Sequence, residues 1–277
     1  MKLKIVKFSL NIVVIIIALL CLYPFIIMVI GSLKTAAELS SNPAGIPLRP
    51  TIENYIRLLT HSGGLVARTF FNAIFISVTH VVLTLAVSSL AAFAFAKYTF
   101  RGKNIMFVIL LATMMVPFEL AIPPLYVMLS RIGWLNTYSV QIFPGIASVF
   151  AMFLLRQFMM KIPDDLIDAA KIDGAGHIRT FLSVIVPTSA PVLGALAVLI
   201  FLGKWNDFLW PVIMVRDTAK LPIMLILPLL SDTDQTYSLP WELILAGCTL
   251  VTVPLVLVFL KFQKKFMSSV TIGAVKE

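Results

Sequence analysis

Long apolar runs constrain this chain more than any other feature of its sequence. A helix needs about 20 mostly apolar residues to cross the hydrocarbon core of a bilayer, and the sequence contains six such runs. Charged residues make up only 13% of the 277 residues, about half the fraction that is usual in soluble domains. We therefore predict an all-α integral membrane protein. Its six transmembrane helices are expected at about 10–30, 71–95, 105–129, 138–159, 188–209 and 243–262.

The expected spans divide the chain in a simple order. An N-terminal cytoplasmic stub and the first transmembrane helix should occupy 1–30, and a turn-rich extracytoplasmic loop should occupy 31–70. A membrane core is expected at 71–265 and a cytoplasmic tail at 266–277. The fifth span is the least regular, because prolines and the polar residues Lys204, Asn206 and Asp207 interrupt it.

The distribution of basic residues predicts the orientation. Cytoplasmic loops carry an excess of Lys and Arg. Most of the 22 basic residues lie before span one, after span six, and in the loops that follow spans two and four. Both termini are therefore expected in the cytoplasm. The formal net charge of +9 follows from this topology, so binding to nucleic acid is not expected.

One cytoplasmic segment between spans four and five is polar and helix-forming. Pro163 suits a first helical turn, Asp164 and Asp165 place negative charge at the positive end of the helix dipole, and Gly174 can end the helix. We predict a helix at 163–174 whose apolar face includes Ala169. Such a helix could rest on lipid headgroups or bind a soluble protein. Its acidic charge and small residues favour the protein, because a helix that lies on lipid is usually basic.

Several short motifs resemble those of a known family. Asp168-Ala169-Ala170, Gly174 and Ile185-Val186-Pro187 are similar to the EAA signature of bacterial ABC importer permeases, with Asp168 in place of Glu and Val186 in place of Leu. Nearly the whole chain, from about residue 10, resembles carbohydrate permeases of the maltose-type G subunit. The motifs that carry this second resemblance are Phe71-Asn72, Phe100-Arg101-Gly102, Met115-Val116-Pro117, Asn136-Thr137-Tyr138, Leu155-Arg156-Gln157-Phe158, 170–175, 205–211 and 273–276.

The resemblance implies a type I ABC importer permease fold, with residues 71–265 as the permease core and the helix at 163–174 as a cytoplasmic coupling helix. It implies a bacterial inner-membrane complex of two different permeases, two cytoplasmic ATPases that use ATP and Mg, and an extracytoplasmic sugar-binding protein. The chain itself has no G-x-x-x-x-G-K-[S/T] phosphate loop. We therefore expect no enzymatic activity and no cofactor or metal on this chain.

The resemblance and the sequence together give four groups of candidate site residues. The expected ATPase-coupling residues are Asp164, Asp165, Leu166, Asp168, Ala169, Ala170, Asp173, Gly174 and Ala175. The candidates for the translocation path are Glu119, Asn206 and Asp207, and those for contact with the binding protein are Asp232, Asp234 and Tyr237. Gly273, Val275 and Lys276 are candidates for contact between the tail and the ATPases.

Plainer roles remain open for most of these residues. Glu119 could lie in a hydrated outer part of its helix, and Asn206 and Asp207 could form a polar turn beside interfacial aromatics. Trp205 and Trp210 could stack on sugar rings or simply anchor the helix ends. The loop around Asp232 could be a solvated connector, and short tails are often disordered.

The sequence favours an ATP-driven carbohydrate importer with an oligosaccharide as cargo. One alternative keeps the ABC architecture but carries glycerol phosphate or another polar solute. A secondary transporter acting alone is disfavoured because the spans hold few ionisable groups for ion coupling. A membrane enzyme is disfavoured because no nucleophile, base and acid stand together.

Overall fold

A computed structural model describes the backbone of residues 2–229 and 240–274, and the side chains of 10–60, 63–226, 228 and 240–263. Within these ranges the regular structure is helical. The first helices are α1 Lys2–Ser32, α2 Ala36–Ser41, α3 Glu53–Lys97, α4 Lys103–Thr113, α5 Ile122–Arg131, α6 Tyr138–Ile142 and α7 Val149–Met159. The remaining helices are α8 Asp164–Ile172, α9 His177–Thr180, α10 Val186–Thr188, α11 Ala190–Trp205, α12 Leu209–Met214, α13 Ile223–Leu229 and α14 Trp241–Ala274.

Three helical stretches of the described residues are long and apolar enough to cross a membrane: Leu10–Ser32, Gly63–Lys97 and Trp241–Gln263. Two bent pairs, Lys103–Thr113 with Phe118–Arg131 and His177–Thr188 with Ala190–Trp205, would bring the number to five. The fourth expected span, 138–159, corresponds to α6 and α7, of which Val149–Met159 is a shorter apolar helix. The membrane character and the helical class agree with the sequence prediction, but three of the expected spans are not continuous helices.

The expected continuous helix at 105–129 is wrong. The chain bends by 91° between Lys103–Thr113 and Phe118–Arg131. Pro117 stands at this break, directly before the short 3-10 helix Phe118–Ala121. A proline has no backbone N–H to donate and its ring clashes with the preceding turn, so α4 cannot continue through this point.

The helix expected at 138–159 is also broken. α6 ends at Ile142 and α7 begins at Val149. Pro144 lies between them, and Gly145 has a φ of +88°, a left-handed conformation that glycine adopts readily. Ser148 then caps the start of α7, because its side chain accepts a hydrogen bond from the N–H of Ala151.

The region expected as a helix at 188–209 is divided in a similar way. α11 ends at Trp205, and the preceding helical stretch His177–Thr188 is bent by 79° relative to it. That stretch contains a π-helical turn, Phe181–Ile185, just before Pro187. A widened turn accommodates a proline ring that would clash with the carbonyl group of an ordinary α-helical turn.

The expected loop at 31–70 is partly helical. α3 begins at Glu53, so about half of the loop belongs to a helix that continues through span two. Before α3, Lys34 is fully buried, and its Nζ donates to the carbonyl of Asn42 at 2.6 Å. The Nδ2 of Asn54 donates to the carbonyls of Ser32 at 2.8 Å and Lys34 at 2.7 Å. These bonds fix the connection between α1 and α3, which sequence periodicity did not reveal.

Packing divides the chain into two compact units, Met1–Arg68 with Leu225–Pro254 and Thr69–Met224 with Leu255–Glu277. The second unit contains an aromatic and aliphatic core around the C-terminal half of α3 and around α7. Arg156 of α7 supports this core, because its Nε donates to the carbonyl of Phe95 at 3.1 Å and its guanidinium lies 4.0 Å from the ring centroid of Phe107. The buried members are Ala92, Phe93, Phe95, Phe107, Ala151, Met152, Leu155, Met159, Ile162, Ile167, Phe181, Ile185 and Leu196.

Candidate functional site

The predicted coupling helix corresponds to α8, Asp164–Ile172, in the second unit. Pro163 precedes it with an extended backbone, and Asp164 and Asp165 occupy its first turn. No side chain accepts a hydrogen bond at the N-cap position, so the two carboxylates are the groups that complement the exposed N–H groups of that turn. The observed helix is shorter than the predicted range 163–174 by one residue at its start and two at its end.

The C-terminus of α8 is closed by a Schellman turn. Gly174 has a φ of +75°. Its N–H donates to the carbonyl of Lys171 at 2.9 Å, and the N–H of Ala175 donates to the carbonyl of Ala170 at 2.9 Å. This pair of bonds needs a residue in the left-handed conformation, which is why glycine is favoured there. The turn fixes the direction in which the chain leaves α8 towards α9.

α8 is anchored by few residues and presents most of its surface to solvent. Ile167 is buried in the core of the second unit, as is Ile162 just before the helix. On the remaining surface Leu166 is exposed, Ala169 is exposed and Ala170 is half-buried. Lys171 and Asp168 form an ion pair at 2.8 Å, and the hydrogen bond from Lys171 to Asp168 raises the pKa of the lysine. Ala169 has a small side chain, so this face leaves room for a partner to pack closely against the helix.

Two residues that the sequence analysis did not single out hold the ends of this segment. Lys97, the last residue of α3, donates from Nζ to Oδ1 of Asp164 at 2.7 Å and also to the carbonyl of Ile162. The hydroxyl of Tyr98 shares a hydrogen bond of 2.6 Å with Nδ1 of His177, the first residue of α9. The sequence signal that could have identified them is a lysine at the end of an apolar span, followed directly by an aromatic residue. Only the fold brings either residue next to α8.

The contact with Lys97 predicts a measurable pH dependence. The hydrogen bond from Lys97, together with its positive charge, holds the pKa of Asp164 below the ordinary aspartate value. Because the pKa is lower in the folded state, the stabilisation from this contact is present above the unfolded-state pKa. It is lost as the pH falls through the folded-state pKa. We expect Asp164 to titrate below free aspartate, as measured by carbon NMR on labelled aspartates. Lys97→Met should return the midpoint to the ordinary value, and an unchanged midpoint would contradict the assignment.

Two of the three candidates for the translocation path line one cavity of about 350 Å³ in the second unit. Glu119 comes from the break between α4 and α5, and Asp207 from the break between α11 and α12. Pro144 and Gly145, from the break between α6 and α7, complete this wall. Irregular backbone at membrane depth is tolerated where it lines a cavity, and discontinuous helices form many transporter binding sites. The breaks in these three spans therefore line the same cavity.

The cavity contains two ionisable residues that were not predicted. Nζ of Lys204 lies 2.8 Å from Oδ2 of Asp207, and the two side chains are only 9% and 20% exposed. Nδ1 of His80 lies 2.7 Å from the carbonyl of Ile142, to which it donates. Both residues stand within apolar sequence, and an ionisable group in a span was the signal that could have identified them.

The other residues considered for the path have structural contacts. Asn206 is exposed, and its Nδ2 donates to the carbonyl of Leu202 at 2.9 Å, which caps the end of α11. Trp205 and Trp210 are 1% and 4% exposed. Trp205 stacks on Phe201, and Nε1 of Trp210 donates to the carbonyl of Val140 at 2.7 Å. The burial of both rings favours the alternative in which these tryptophans anchor the helix ends.

The remaining candidates fall mainly outside the described residues. Asp232, Asp234 and Tyr237, proposed for contact with the binding protein, lie in 230–239, which the structure does not describe. Val275 and Lys276 of the tail also lie outside the described residues, and for Gly273 the structure describes the backbone within α14. These residues stay predictions.

Comparison with known proteins places the chain in a family. Residues 84–271 match the family described as "Binding-protein-dependent transport system inner membrane component". The arabinooligosaccharides transport system permease protein AraQ of Halalkalibacterium halodurans is 35% identical over 265 residues, which are 94% of this chain and 93% of that protein. The trehalose/maltose transport system permease protein MalG of Thermococcus litoralis is 31% identical over 264 residues, which are 95% and 94% of the two chains.

A solved structure shows the same fold. A chain of a bacterial ABC transporter involved in the import of the acidic polysaccharide alginate aligns with a TM-score of 0.81 at 22% identity, covering 95% of this chain and 97% of that one. The sequence prediction of an ABC importer permease fold is therefore confirmed. The family is a transport component and not an enzyme. The chain belongs to the family of inner-membrane components of binding-protein-dependent transport systems, the permease subunits of ABC importers.

Proposed function

We propose that this chain forms half of the translocation pathway of an ATP-driven oligosaccharide importer, together with a second, different permease. Family membership supports the transport role, and relatives of nearly full length are named for arabinooligosaccharides and for trehalose and maltose. The observation that carries the mechanism is α8, a short helix with an acidic start and an exposed alanine, Ala169, anchored to the core by Ile167.

The proposed complex divides the work among its subunits. Two cytoplasmic ATPases bind ATP and Mg, and their closure moves α8. An extracytoplasmic binding protein delivers the sugar, with Asp232, Asp234 and Tyr237 as candidate contacts. Gly273, Val275 and Lys276 are candidates for contact between the tail and the ATPases. The lack of a phosphate loop in this sequence supports a separate source of ATP hydrolysis.

The cavity lined by Glu119 and Asp207 is the proposed contribution of this subunit to the translocation path. Glu119 and Asp207 offer carboxylate oxygens to sugar hydroxyls, and Lys204 and His80 add polar atoms to the same wall. In the proposed alternating-access cycle this surface faces first outward and then inward, and closure of the ATPases moves α8. Hydrogen bonds to several hydroxyls orient a sugar without binding it tightly, as release into the cytoplasm requires.

A reconstitution experiment tests the cargo. The complete complex in nanodiscs should hydrolyse ATP faster when its binding protein is loaded with an arabino- or malto-oligosaccharide than when it is empty. Glycerol 3-phosphate should give no stimulation. Stimulation by glycerol phosphate alone would favour the alternative cargo, and sugar uptake that needs neither ATP nor partners would favour a secondary transporter.

Topology gives a separate prediction. Both termini and α8 are proposed to lie in the cytoplasm. In a chain whose two native cysteines are replaced by alanine, Ile46→Cys should react with a membrane-impermeant maleimide from outside intact cells. Lys171→Cys should react only after permeabilisation. Both native side chains are exposed, so burial within this chain does not limit the reaction of either cysteine with the maleimide. The reverse pattern would contradict the proposed orientation.

A further inference from the structure

The end of α3 contacts the segment around α8 on both sides of that helix. On the N-terminal side, Nζ of Lys97 donates to Oδ1 of Asp164 at 2.7 Å and to the carbonyl of Ile162. On the C-terminal side, the hydroxyl of Tyr98 is hydrogen-bonded at 2.6 Å to Nδ1 of His177. α8 and its Schellman turn lie between these two contacts. Two neighbouring residues thus bracket the whole helix.

The burial of Lys97 indicates a positional role. Its side chain is 7% exposed, whereas that of Asp164 is 77% exposed. An ion pair with one exposed partner is screened by solvent and contributes little to stability. A buried ammonium group that points at a carbonyl oxygen instead fixes the direction of the backbone that carries this carbonyl. Ile162, the residue concerned, is itself buried in the core.

The second contact is supported by aromatic packing. The ring of Tyr98 packs edge-on against His177 at 5.3 Å and against Phe93 at 5.2 Å. Phe93 in turn packs against Phe181, which follows α9 directly. Because aromatic contacts of this kind add to burial, the start of α9 cannot move far without moving the end of α3.

We infer that Lys97 and Tyr98 form a two-point clamp that makes α3 and α8 move as one body. The inference rests on the proposed role of α8 as the ATPase docking helix. Lys97 and Tyr98 act as positioning residues, because they act through α8 and not on the cargo. α3 also carries His80, which lines the cavity. The clamp therefore joins the docking helix to a helix that forms part of the proposed path.

The first test measures transport per ATP. Lys97→Met, Tyr98→Phe and the double variant should keep ATPase binding in the reconstituted complex but carry less sugar for each ATP hydrolysed. Losing one net hydrogen bond corresponds to about a fivefold change. Lys97→Met removes the bonds to Asp164 and to Ile162 together, so we expect a loss of about fivefold or more. Lys97→Arg, which keeps the charge and donors, should retain most of the coupling.

The matched control is Lys34→Met. Nζ of Lys34 donates to the carbonyl of Asn42 at 2.6 Å, so this variant also removes a lysine–carbonyl bond, but one that involves neither clamp residue nor α8. Its sugar-to-ATP ratio should stay at the wild-type value. Tyr98→Phe keeps the ring and its packing, so it remains informative if Lys97→Met folds poorly.

The second test measures the clamp without the ATPases. Spin labels at Val82 of α3 and Lys171 of α8, both exposed, report their separation in the permease pair alone. The distance distribution should be narrow in the parent chain and broad in the double variant. A narrow distribution with unchanged sugar per ATP in the double variant would overturn the clamp. If a variant with a bulky side chain on the surface of α8 still binds the ATPases, the docking role of α8 is wrong instead. Failure of the clamp and failure of the docking role are therefore distinguishable.

Discussion

Ala169→Trp is expected to weaken capture of the ATPase subunits by about tenfold or more, with loss of sugar transport. Ala169 is exposed on α8, so an indole there projects into solvent and does not disturb the core. It would, however, occupy the space into which a closely packed partner must fit. Forcing extra volume into a packed interface costs about 1–3 kcal/mol, which is roughly 5- to 150-fold in affinity.

The measurement is the dissociation constant of purified ATPase for the permease pair in nanodiscs. Ala86→Trp is the matched control, because it makes the same substitution at an exposed position of α3 away from α8. It should leave ATPase affinity unchanged. Unaltered ATPase binding and sugar uptake in Ala169→Trp would show that α8 is not the docking helix.

Lys204→Met is expected to lower the free energy of unfolding by about 3 kcal/mol. Removing one partner of a buried ion pair leaves the other charge without compensation, which costs about 3–5 kcal/mol. We take the lower end of that range because Asp207 is 20% exposed. Changing Asp207 to Asn in the same chain should recover part of the loss, because the uncompensated charge is then removed.

The measurement is denaturant unfolding in mixed micelles, arranged as a double-mutant cycle. Lys171→Met provides a matched control, since the Lys171–Asp168 pair has the same 2.8 Å separation and three-residue spacing but side chains that are 60% and 61% exposed. Solvent screens an exposed pair, so this variant should lose much less stability than Lys204→Met. Equal losses in the two lysine variants would show that burial in the cavity does not govern the pair.

The membrane class, the helical fold and the helix α8 were predictable because each depends on local sequence. Apolar runs indicate spans regardless of how these pack, and Pro163, Asp164 and Gly174 encode the two ends of α8 within twelve residues. The motifs around Asp168 and Gly174 also led to the correct family. Hydropathy did not predict the broken spans, because it averages over a window and Pro117 or Pro144 lowers that average only slightly.

The sequence by itself determined that this chain crosses a membrane, belongs among ABC importer permeases and carries a short helix with an acidic start. The tertiary structure decided which distant residues meet. It brought Lys97 and Tyr98 to the two ends of α8, and it brought His80, Glu119 and the Lys204–Asp207 pair to one cavity. His80 and Asp207, which line this cavity together, are 127 positions apart in the sequence. The physical reason is that local propensity sets helices and turns, whereas partners across the bundle are chosen only when the core packs.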